Sequence, residues 1–320
     1  MKVLITGGAG FIGSNVVDLL IKQGHSVIVV DNLSQGKREN VHSSAGFYKC
    51  DILDVDELSV IFSKEQPDVV IHNAAQIDIQ TSIKKPALDS EINIKGTINV
   101  LECCRKFGVE KIVYPSSAAV YGDPKYLPVD ENHPVEPISF YGISKHTPEH
   151  YIKTYADLYN IKYTIFRYAN VYGIRQDPKG EGGVVSISID KFLNNKFPII
   201  FGDGNQTRDF IYVKDIARAN LLALSGGDNE ILNISTQKPV TVIELFKVMK
   251  EIFNSKLEAI HEKERYGDIR DSNLKNEKAY KFLNWKNEYS LEDGLKETCR
   301  YYMEVYEAEK EAAVTTNSLP

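Results

Sequence analysis

The stretch KVLITGGAGFIG, residues 2–13, decides the fold of this chain. A run rich in β-branched residues comes first, then Gly7, Gly10 and Gly13, then an amphipathic segment that continues to Gly24. This order predicts a strand, a tight turn and a helix. Glycines at this spacing let the backbone approach a pyrophosphate closely, and the N-terminus of the helix then faces the negative charge.

An acidic residue at the end of the next apolar run adds to this pattern. The run 26–30 ends at Asp31, about 20 residues after the glycines. A carboxylate there can accept hydrogen bonds from both hydroxyls of the adenosine ribose and repels a 2′-phosphate. The glycines alone would fit any tight βα turn, but together with Asp31 they predict a dinucleotide site that prefers NAD to NADP.

Apolar runs and amphipathic segments continue to alternate after Asp31. We expect strands near 47–50, 68–72 and 111–115, and helices over 54–64 and 87–107. The predicted fold is α/β, a Rossmann-type doubly wound parallel sheet with a second, smaller α/β substrate domain. Ligands of such sheets bind at the carboxyl ends of the strands. The residues predicted at these ends are Asp51, His72, Ala74, Ala75, Ser116 and Ser117.

Two of these strand ends allow a more specific interpretation. Asp51 could hold the amino group of adenine, and the small Ala74 and Ala75 let a cofactor lie close. For His72 a capping or packing role is favoured over catalysis, because no acidic partner is near it in sequence.

The segment FYGISKH, residues 140–146, places Tyr141 and Lys145 one turn apart on a predicted helix. Lowering a tyrosine pKa from about 10 to about 7 takes roughly 4 kcal/mol, which a fixed lysine beside it could supply. Such spacing also arises by chance. Ser117, at the end of the preceding strand, could hydrogen-bond the same substrate hydroxyl that Tyr141 deprotonates, or could simply end the strand.

These motifs stand in the order seen in the extended short-chain dehydrogenases/reductases, and the chain most resembles the UDP-hexose 4-epimerases. The resemblance runs to about Tyr302 and also includes the later segment 167–173, RYANVYG. It implies a catalytic triad of Ser117, Tyr141 and Lys145. It further implies that NAD is held by Gly7, Gly10, Phe11, Ile12, Gly13, Asp31, Asn32, Ser34, Lys37, Asp51, Ile52, Ala74, Ala75, Asn93, Ser116, Tyr141, Lys145 and Tyr168.

The resemblance also implies a mechanism. Tyr141 takes the proton of the sugar 4-hydroxyl while carbon 4 gives a hydride to NAD, and the resulting 4-keto sugar takes the hydride back on its other face. Dehydratase and decarboxylase relatives carry acidic residues between the triad hydroxyl and Val-Tyr-Gly. This chain has Ala118 and Ala119 there, which cannot transfer protons, so elimination is disfavoured.

The resemblance assigns the UDP-sugar to the second half of the chain. Phe201 could lie against uracil or pack in the core, and Arg208 and Arg265 could bind the diphosphate or form surface salt bridges with neighbouring acids. Ser272 corresponds to the pocket wall beside the 2-substituent of the sugar. Its small size favours an N-acetyl group, unless a neighbour such as Tyr266 closes the space. The implied substrate residues are Ser117, Tyr141, Asn170, Val184, Ile199, Phe201, Gln206, Arg208, Arg265, Asp268 and Ser272.

The domains divide accordingly. Residues 1–173 form the NAD-binding domain, to which 210–236 return through a helix at 213–224 and a strand at 231–234. Residues 174–209 and 237–306 form the UDP-sugar domain. The segment 307–320 loses apolar periodicity and is expected to fray.

Composition sets limits on the partners. A net charge of −6 and a pI near 5.7 over 320 residues give no reason to expect nucleic acid or a membrane as partner. The four cysteines show neither a disulfide pattern nor metal-ligand spacing, so we expect no metal and a cytoplasmic location. The resemblance implies a homodimer formed through the helices 87–107 and 142–159.

Two other functions stay open. The same triad could epimerise another nucleotide sugar, such as a UDP-uronate or a CDP-sugar. A non-catalytic NAD-binding regulator is disfavoured, because such proteins tend to lose the tyrosine or the lysine and this chain keeps both.

Overall fold

The computed structural model describes residues 1–178, 183–264 and 269–316, with side chains to residue 311. The strands in these ranges are β1 (Lys2–Thr6), β2 (Ser26–Val30), β3 (Gly46–Tyr48), β4 (Val69–His72), β5 (Lys111–Ser117), β6 (Lys162–Tyr168), β7 (Asn170–Tyr172), β8 (Ile199–Phe201), β9 (Thr207–Tyr212), β10 (Glu230–Ile234), β11 (Pro239–Thr241) and β12 (Ile260–Glu262).

Helices alternate with these strands through most of the chain. They are α1 (Phe11–Lys22), α2 (Val55–Glu65), α3 (Ile79–Lys84), α4 (Pro86–Ser90), α5 (Gly96–Phe107), α6 (Phe140–Tyr159), α7 (Val184–Leu193), α8 (Val213–Ala223), α9 (Val242–Ile252), α10 (Glu277–Leu283) and α11 (Leu291–Thr316).

Within the described ranges, seven strands form one parallel sheet in the order β10-β6-β5-β4-β1-β2-β3. The order reverses at β1, where the chain moves outward first through β2 and β3 and then through β4 to β6. The predicted doubly wound sheet is therefore confirmed. The predicted strand 231–234 lies in β10, which pairs with β6 at the edge of this sheet.

The two faces of the sheet are buried under different helices. Val3 and Ile5 of β1 belong to the core cluster that includes α1 and α8 residues, whereas Leu4 between them belongs to the cluster under α2 and α5. This alternation follows from the two-residue period of a strand. Because both faces are covered, β1 and β2 are apolar along almost their whole length.

A smaller lobe is built around a third core cluster. Phe192, Phe210, Leu245 and Met249 are buried in it, between α7, α9 and β9. In the described residues this lobe contains a three-stranded sheet, β11-β9-β7, and a two-stranded sheet, β12-β8. It lies beyond the carboxyl end of β6, since β7 follows β6 directly.

The structure corrects one prediction from the sequence. The expected helix 87–107 is divided into α4, a π-helical turn at Glu91–Lys95, and α5, and the wide turn contains the buried Asn93. The last helix, α11, continues to Thr316, within the segment 307–320 that is predicted to fray. Glutamate, alanine and lysine dominate residues 307–313, and these are strong helix formers even without apolar contacts.

No helix among the described residues is long and apolar enough to span a membrane.

Candidate active site

The glycine turn between β1 and α1 is packed so closely that side chains are excluded. A Cβ on Gly7 would lie 2.6 Å from the backbone nitrogen of Ala74, and one on Gly13 would lie 2.1 Å from the carbonyl oxygen of Gly7. Gly7 also has a φ of +67°, in the left-handed region. Gly10 caps α1 without a side-chain hydrogen bond, so the first N–H groups of this helix face the turn. This is the arrangement that binds a phosphate.

Asp31 lies beside this turn at the end of β2. Its Oδ2 accepts a hydrogen bond from the Ala9 amide at 3.0 Å, and its Oδ1 accepts one from the Leu33 amide at 2.8 Å. Burial raises the pKa of Asp31, and the two amide hydrogen bonds oppose this. A carboxylate has about four acceptor positions. The remaining positions are available for two ribose hydroxyls.

The next strand end holds Asp51 in a fixed orientation. Asn32 Nδ2 donates to Asp51 Oδ2 at 2.8 Å, and the Leu53 amide donates to Asp51 Oδ1 at 2.9 Å. Ser34 and Lys37 lie in the same loop, where the Ser34 amide donates to Asn32 Oδ1 at 2.9 Å. These residues lie beyond the carboxyl ends of β2 and β3.

His72 is a buried neutral side chain that packs and orders the site. Its Nδ1 lies 2.6 Å from Thr6 Oγ1, and its Nε2 lies 3.0 Å from Thr97 Oγ1. Burial lowers the pKa of His72 to about 3. Thr6 Oγ1 also accepts from the Ala74 amide at 3.2 Å, which fixes the loop after β4. The packing role favoured from the sequence agrees with these contacts.

Close packing of the start of α6 against the turn after β5 brings Ser117 and Tyr141 into one region. Ser139 caps α6 by accepting from the Gly142 amide at 3.1 Å. A Cβ on Gly142 would lie 2.6 Å from the carbonyl oxygen of Ala119. Ser117 Oγ accepts from the Ala119 amide at 3.2 Å. The absent side chain at position 142 therefore lets the start of α6 pack against the turn that follows Ser117.

Lys145 is 4% exposed and lies one turn after Tyr141. Its ammonium sits over the ring of Tyr114, with Nζ 4.5 Å from the ring centroid. Burial lowers the pKa of Lys145 to about 7, against the attraction of Glu149 and Asp89. An anion placed beside this group, such as a phenolate, would favour its charged form.

A buried ion pair anchors α6 one further turn along. Arg167 of β6 donates to Glu149 through Nε at 3.1 Å and through Nη2 at 2.6 Å. Ser116 Oγ donates to the same carboxylate at 2.6 Å. These contacts tie the helix that carries Tyr141 and Lys145 to the ends of β5 and β6. Glu149 and Arg167 were not predicted as site residues from the sequence, although Glu149 follows Lys145 at helical spacing.

Asn93, at the π turn, connects the loop after β4 to α6. Its Oδ1 accepts from the Gln76 amide at 2.8 Å, and its Nδ2 donates to Ser144 Oγ at 2.9 Å. Ser144 in turn donates to the carbonyl oxygen of Tyr141 at 3.1 Å. Gln76 and Ser144 were also missed, because their role depends on a contact between distant segments.

Tyr168 lies opposite Ser117 in the register of β5 and β6. Asn220 of α8 donates to its hydroxyl oxygen at 2.7 Å. Burial raises the pKa of Tyr168, so its hydroxyl stays protonated. It contributes a fixed, neutral polar group at the end of the central strands.

Several residues predicted for the sugar nucleotide meet around β8 and β9. Gln206 Nε2 donates to the carbonyl oxygen of Phe201 at 2.7 Å, and Arg208 Nη1 donates to the carbonyl oxygen of Thr207 at 2.7 Å. The Ser272 amide donates to the same Thr207 oxygen at 3.2 Å, and Ser272 is 4% exposed. The structure therefore brings Phe201, Gln206, Arg208 and Ser272 into one neighbourhood.

Asp209, the acidic residue next to Arg208 in the sequence, binds backbone amides of another segment. Asp209 accepts from the amides of Thr236 and Gln237 at 2.8 and 3.0 Å.

The exposed Asn170 lies on β7, adjacent to β9, and Val184 begins α7. Ile199 is half-buried at the start of β8. The predicted residues Arg265 and Asp268, with Tyr266, lie outside the described residues.

Comparison with known proteins decides the family. The model of the NAD dependent epimerase/dehydratase family matches residues 3–235. The chain belongs to this family. The resemblance noted from the sequence is confirmed, the protein is an isomerase, and its cofactor is NAD.

Solved structures of family members resemble the chain over almost its whole length. A UDP-glucose 4-epimerase of Thermotoga maritima with UDP-glucose is 47% identical, with a TM-score of 0.94 over 95% of this chain and 99% of that one. A UDP-glucose 4-epimerase of Thermus thermophilus in complex with NAD is 37% identical, with a TM-score of 0.91 over 95% and 99%. A UDP-N-acetylglucosamine 4-epimerase of Methanobrevibacter ruminantium in complex with UDP-N-acetylmuramic acid is 35% identical, with a TM-score of 0.90 over 95% and 98%.

The residues of this family member fit NAD. The glycine turn leaves a space that a Cβ would fill, the start of α1 supplies N–H groups, and Asp31 retains acceptor positions. The pyrophosphate and the adenosine ribose of NAD thus each have a group of suitable chemistry along one edge of the sheet.

Proposed function

We propose that the chain is a 4-epimerase of UDP-hexoses that converts UDP-GlcNAc and UDP-GalNAc as well as UDP-Glc and UDP-Gal. The observation that carries the N-acetyl assignment is Ser272, a small buried residue whose amide is fixed to Thr207 beside Phe201 and Arg208. A serine occupies little volume at this wall. The space that a larger side chain would take is then left for an acetamido group.

In this proposal the residues of the chain act on the 4-hydroxyl of the sugar. NAD, when bound, supplies the oxidising and reducing chemistry at carbon 4. Tyr141 takes the proton of the 4-hydroxyl and later returns one to the 4-keto group. Lys145, charged beside the phenolate, stabilises that state, and Ser117 hydrogen-bonds the same sugar oxygen. Ala118 and Ala119 offer no second proton carrier, so the reaction ends with the proton returned.

Glu149 and Asn93 support this chemistry by position. The ion pair of Glu149 with Arg167 holds α6 against β5 and β6, and Asn93 holds it against the loop after β4. Two independent contacts therefore fix the helix that presents Tyr141. Such rigidity matters because proton transfer requires the donor and acceptor within hydrogen-bond distance.

A panel of nucleotide sugars tests the substrate assignment. Purified protein with NAD is incubated separately with UDP-GlcNAc, UDP-Glc, UDP-glucuronate and a CDP-hexose, and the anomeric protons are followed by NMR. We expect UDP-GalNAc and UDP-Gal to form. If UDP-GlcNAc stays unchanged while UDP-Glc or UDP-glucuronate converts, the N-acetyl assignment is wrong.

We also propose that the chain forms a homodimer through the predicted helices 87–107 and 142–159, which correspond to α4 to α6. Leu88, Phe140, Ile143 and Leu158 are exposed apolar residues on α4 and α6. Burying such a surface against a second copy would remove it from water. Light scattering of the wild type and of Ile143→Asp checks this, because we expect a dimer that weakens with the charge. A monomeric wild type would contradict it.

We propose a cytoplasmic location because the cysteines of the chain are free thiols. The sequence contains four cysteines, and all of them are buried thiols in the described residues. This agrees with the reducing cytoplasm expected from the sequence.

A further inference from the structure

Asn233 is a polar residue on β10 that has no part in the mechanism described above. It is fully buried, and its side chain contacts three separate segments of the chain. Its Nδ2 donates to the carbonyl oxygens of Val129 at 3.0 Å and Lys275 at 3.2 Å. Its Oδ1 accepts from the hydroxyl of Tyr121 at 2.7 Å. Carbonyl oxygens only accept hydrogen bonds, so the amide nitrogen must face the first two partners.

Val129 and Lys275 lie in two loops that pair over a short stretch. The amide of Val129 donates to the carbonyl oxygen of Asn273, and the amide of Lys275 donates to that of Val129, both at 2.8 Å. These bonds flank a parallel bridge between Val129 and Leu274. Asn233 thus holds the paired loops against β10, the edge strand of the main sheet.

The wall segment, residues 271–275, contains Ser272 and is attached at its start to β9. Asp271 forms a bridge with Thr207, the first residue of β9, and its Oδ1 accepts from Thr207 Oγ1 at 2.7 Å. The Ser272 amide donates to the carbonyl oxygen of Thr207 at 3.2 Å. This attachment fixes the start of the wall segment.

The end of the wall segment is attached to β10 through Asn233 and Ser235. Ser235 directly follows β10 and is fully buried, and its Oγ donates to the carbonyl oxygen of Leu274 at 2.8 Å. Residues two apart along a strand face the same side, which is why Asn233 and Ser235 reach adjacent residues, Lys275 and Leu274. Ser272 therefore lies between one attachment at β9 and another at β10.

Tyr121 connects the amide of Asn233 to the anchor of α6. The guanidinium of Arg167 lies over the ring of Tyr121, 4.8 Å from its centroid. Arg167 pairs with Glu149 of α6, and it is the partner of Asn233 in the register of β6 and β10. The wall segment and the helix that presents Tyr141 are therefore held by neighbouring positions of the same two strands.

We propose that Asn233 and Ser235 are positioning residues for substrate selection, because they hold Ser272 at the distance that an acetamido group requires. This role rests on the proposed function, since it takes Ser272 as the wall beside the 2-substituent of the sugar. An acetamido group fills more of that space than a hydroxyl, so its conversion depends more on where the wall stands. Loosening either contact should therefore impair conversion of UDP-GlcNAc more than that of UDP-Glc.

Steady-state kinetics of two variants at saturating NAD test this role. Asn233→Asp keeps the shape of the side chain, but an ionised carboxylate cannot donate to the two carbonyls. Ser235→Ala is the milder change, because it removes one hydrogen bond. Substitutions within a packed network shift the coupling between sites by about 2–30-fold. We expect the ratio of kcat/KM for UDP-GlcNAc to that for UDP-Glc to fall at least about fivefold in Asn233→Asp and at least about twofold in Ser235→Ala.

This ratio separates positioning from a loss of stability. A variant that is only less stable contains less active protein, which lowers kcat for both substrates equally and leaves both KM values and the ratio unchanged. Asn99→Asp is the matched control, because the Asn99 amide also donates to two backbone carbonyls, those of Ile52 at 2.9 Å and Leu53 at 3.4 Å. These lie beyond β3, and this variant should keep the wild-type ratio.

Ser272→Tyr, measured in parallel, distinguishes failure of the positioning role from failure of the proposed function. If Ser272→Tyr lowers the ratio but a folded Asn233→Asp or Ser235→Ala keeps the wild-type ratio, the positioning role of that residue is wrong while the proposed function stands. An unchanged ratio in Ser272→Tyr would overturn both.

Discussion

Gly142→Ala should reduce turnover by about 10–100-fold while leaving the fold and NAD binding intact. An added Cβ would lie 2.6 Å from the carbonyl oxygen of Ala119 and 2.9 Å from Cβ of Pro137, whereas ordinary contacts begin at 3.4 Å. Both neighbours are stiff, so α6 must move by about 0.8 Å at its start. A displacement of about 1 Å can cost about 10²-fold in rate.

The free energy of unfolding should fall by no more than about 2 kcal/mol in this variant. Alanine is favoured over glycine inside a helix by about 1 kcal/mol, and the added crowding costs about 1–3 kcal/mol. The assay is the steady-state kcat for UDP-Glc, with bound NAD measured by absorbance and unfolding by urea. Gly24→Ala is the control for turnover only, because a Cβ there meets nothing within 4 Å, although its φ of +79° makes this variant less stable. A Gly142→Ala enzyme within about twofold of wild-type kcat would refute the claim that this contact positions Tyr141.

Three further predictions concern the pocket wall, a titration and the anchor of α6. Ser272→Tyr should lower kcat/KM for UDP-GlcNAc at least about tenfold more than for UDP-Glc, as a change in pocket size does; an equal loss on both contradicts the gating role. The pKa of Lys145 is about 7 in the folded chain and near 10.5 in the unfolded one, so the unfolded state binds more protons between these values. The NAD-free protein should therefore gain stability relative to Lys145→Met as pH rises from 7 to 10, measured by urea unfolding, and a constant difference would contradict this. Glu149→Gln leaves Arg167 buried without its ion-pair partner. It should lower the free energy of unfolding by about 3–5 kcal/mol in the same urea assay, and a loss below about 1 kcal/mol would contradict this.

The nucleotide half of the site could be predicted from the sequence because its parts are local. The glycines, Asp31 and the strand ends each follow from a turn or a two-residue period within a short segment. In a parallel sheet the carboxyl ends of the strands lie at one edge, so no other contact had to be predicted to place these residues together. Tyr141 and Lys145 are local in the same sense, since both lie on one helix.

What the sequence did not show depends on contacts between distant segments or on backbone hydrogen bonding. The π turn around Asn93 changes the hydrogen-bond register of a helix without changing its apolar pattern. The pairing of Glu149 with Arg167 requires α6 to lie across β6, and the sequence alone gives no such crossing.

The extension of α11 has a different cause. Leu295 and Cys299 are fully buried and anchor the helix in the smaller lobe. Residues 307–316 continue it because they favour the helical state, although they lack an apolar face.

The most direct test compares the wild type with Tyr141→Phe at equal NAD content. UDP-Glc and UDP-GlcNAc are supplied, and the anomeric protons of the products are followed by NMR. Removing the one hydroxyl proposed to carry the carbon 4 proton should slow epimerisation by at least about 10²–10⁴-fold. We expect UDP-Gal and UDP-GalNAc from the wild type and almost none of either product from the variant. Equal rates in the two proteins, or no change at carbon 4 in the wild type, would contradict it.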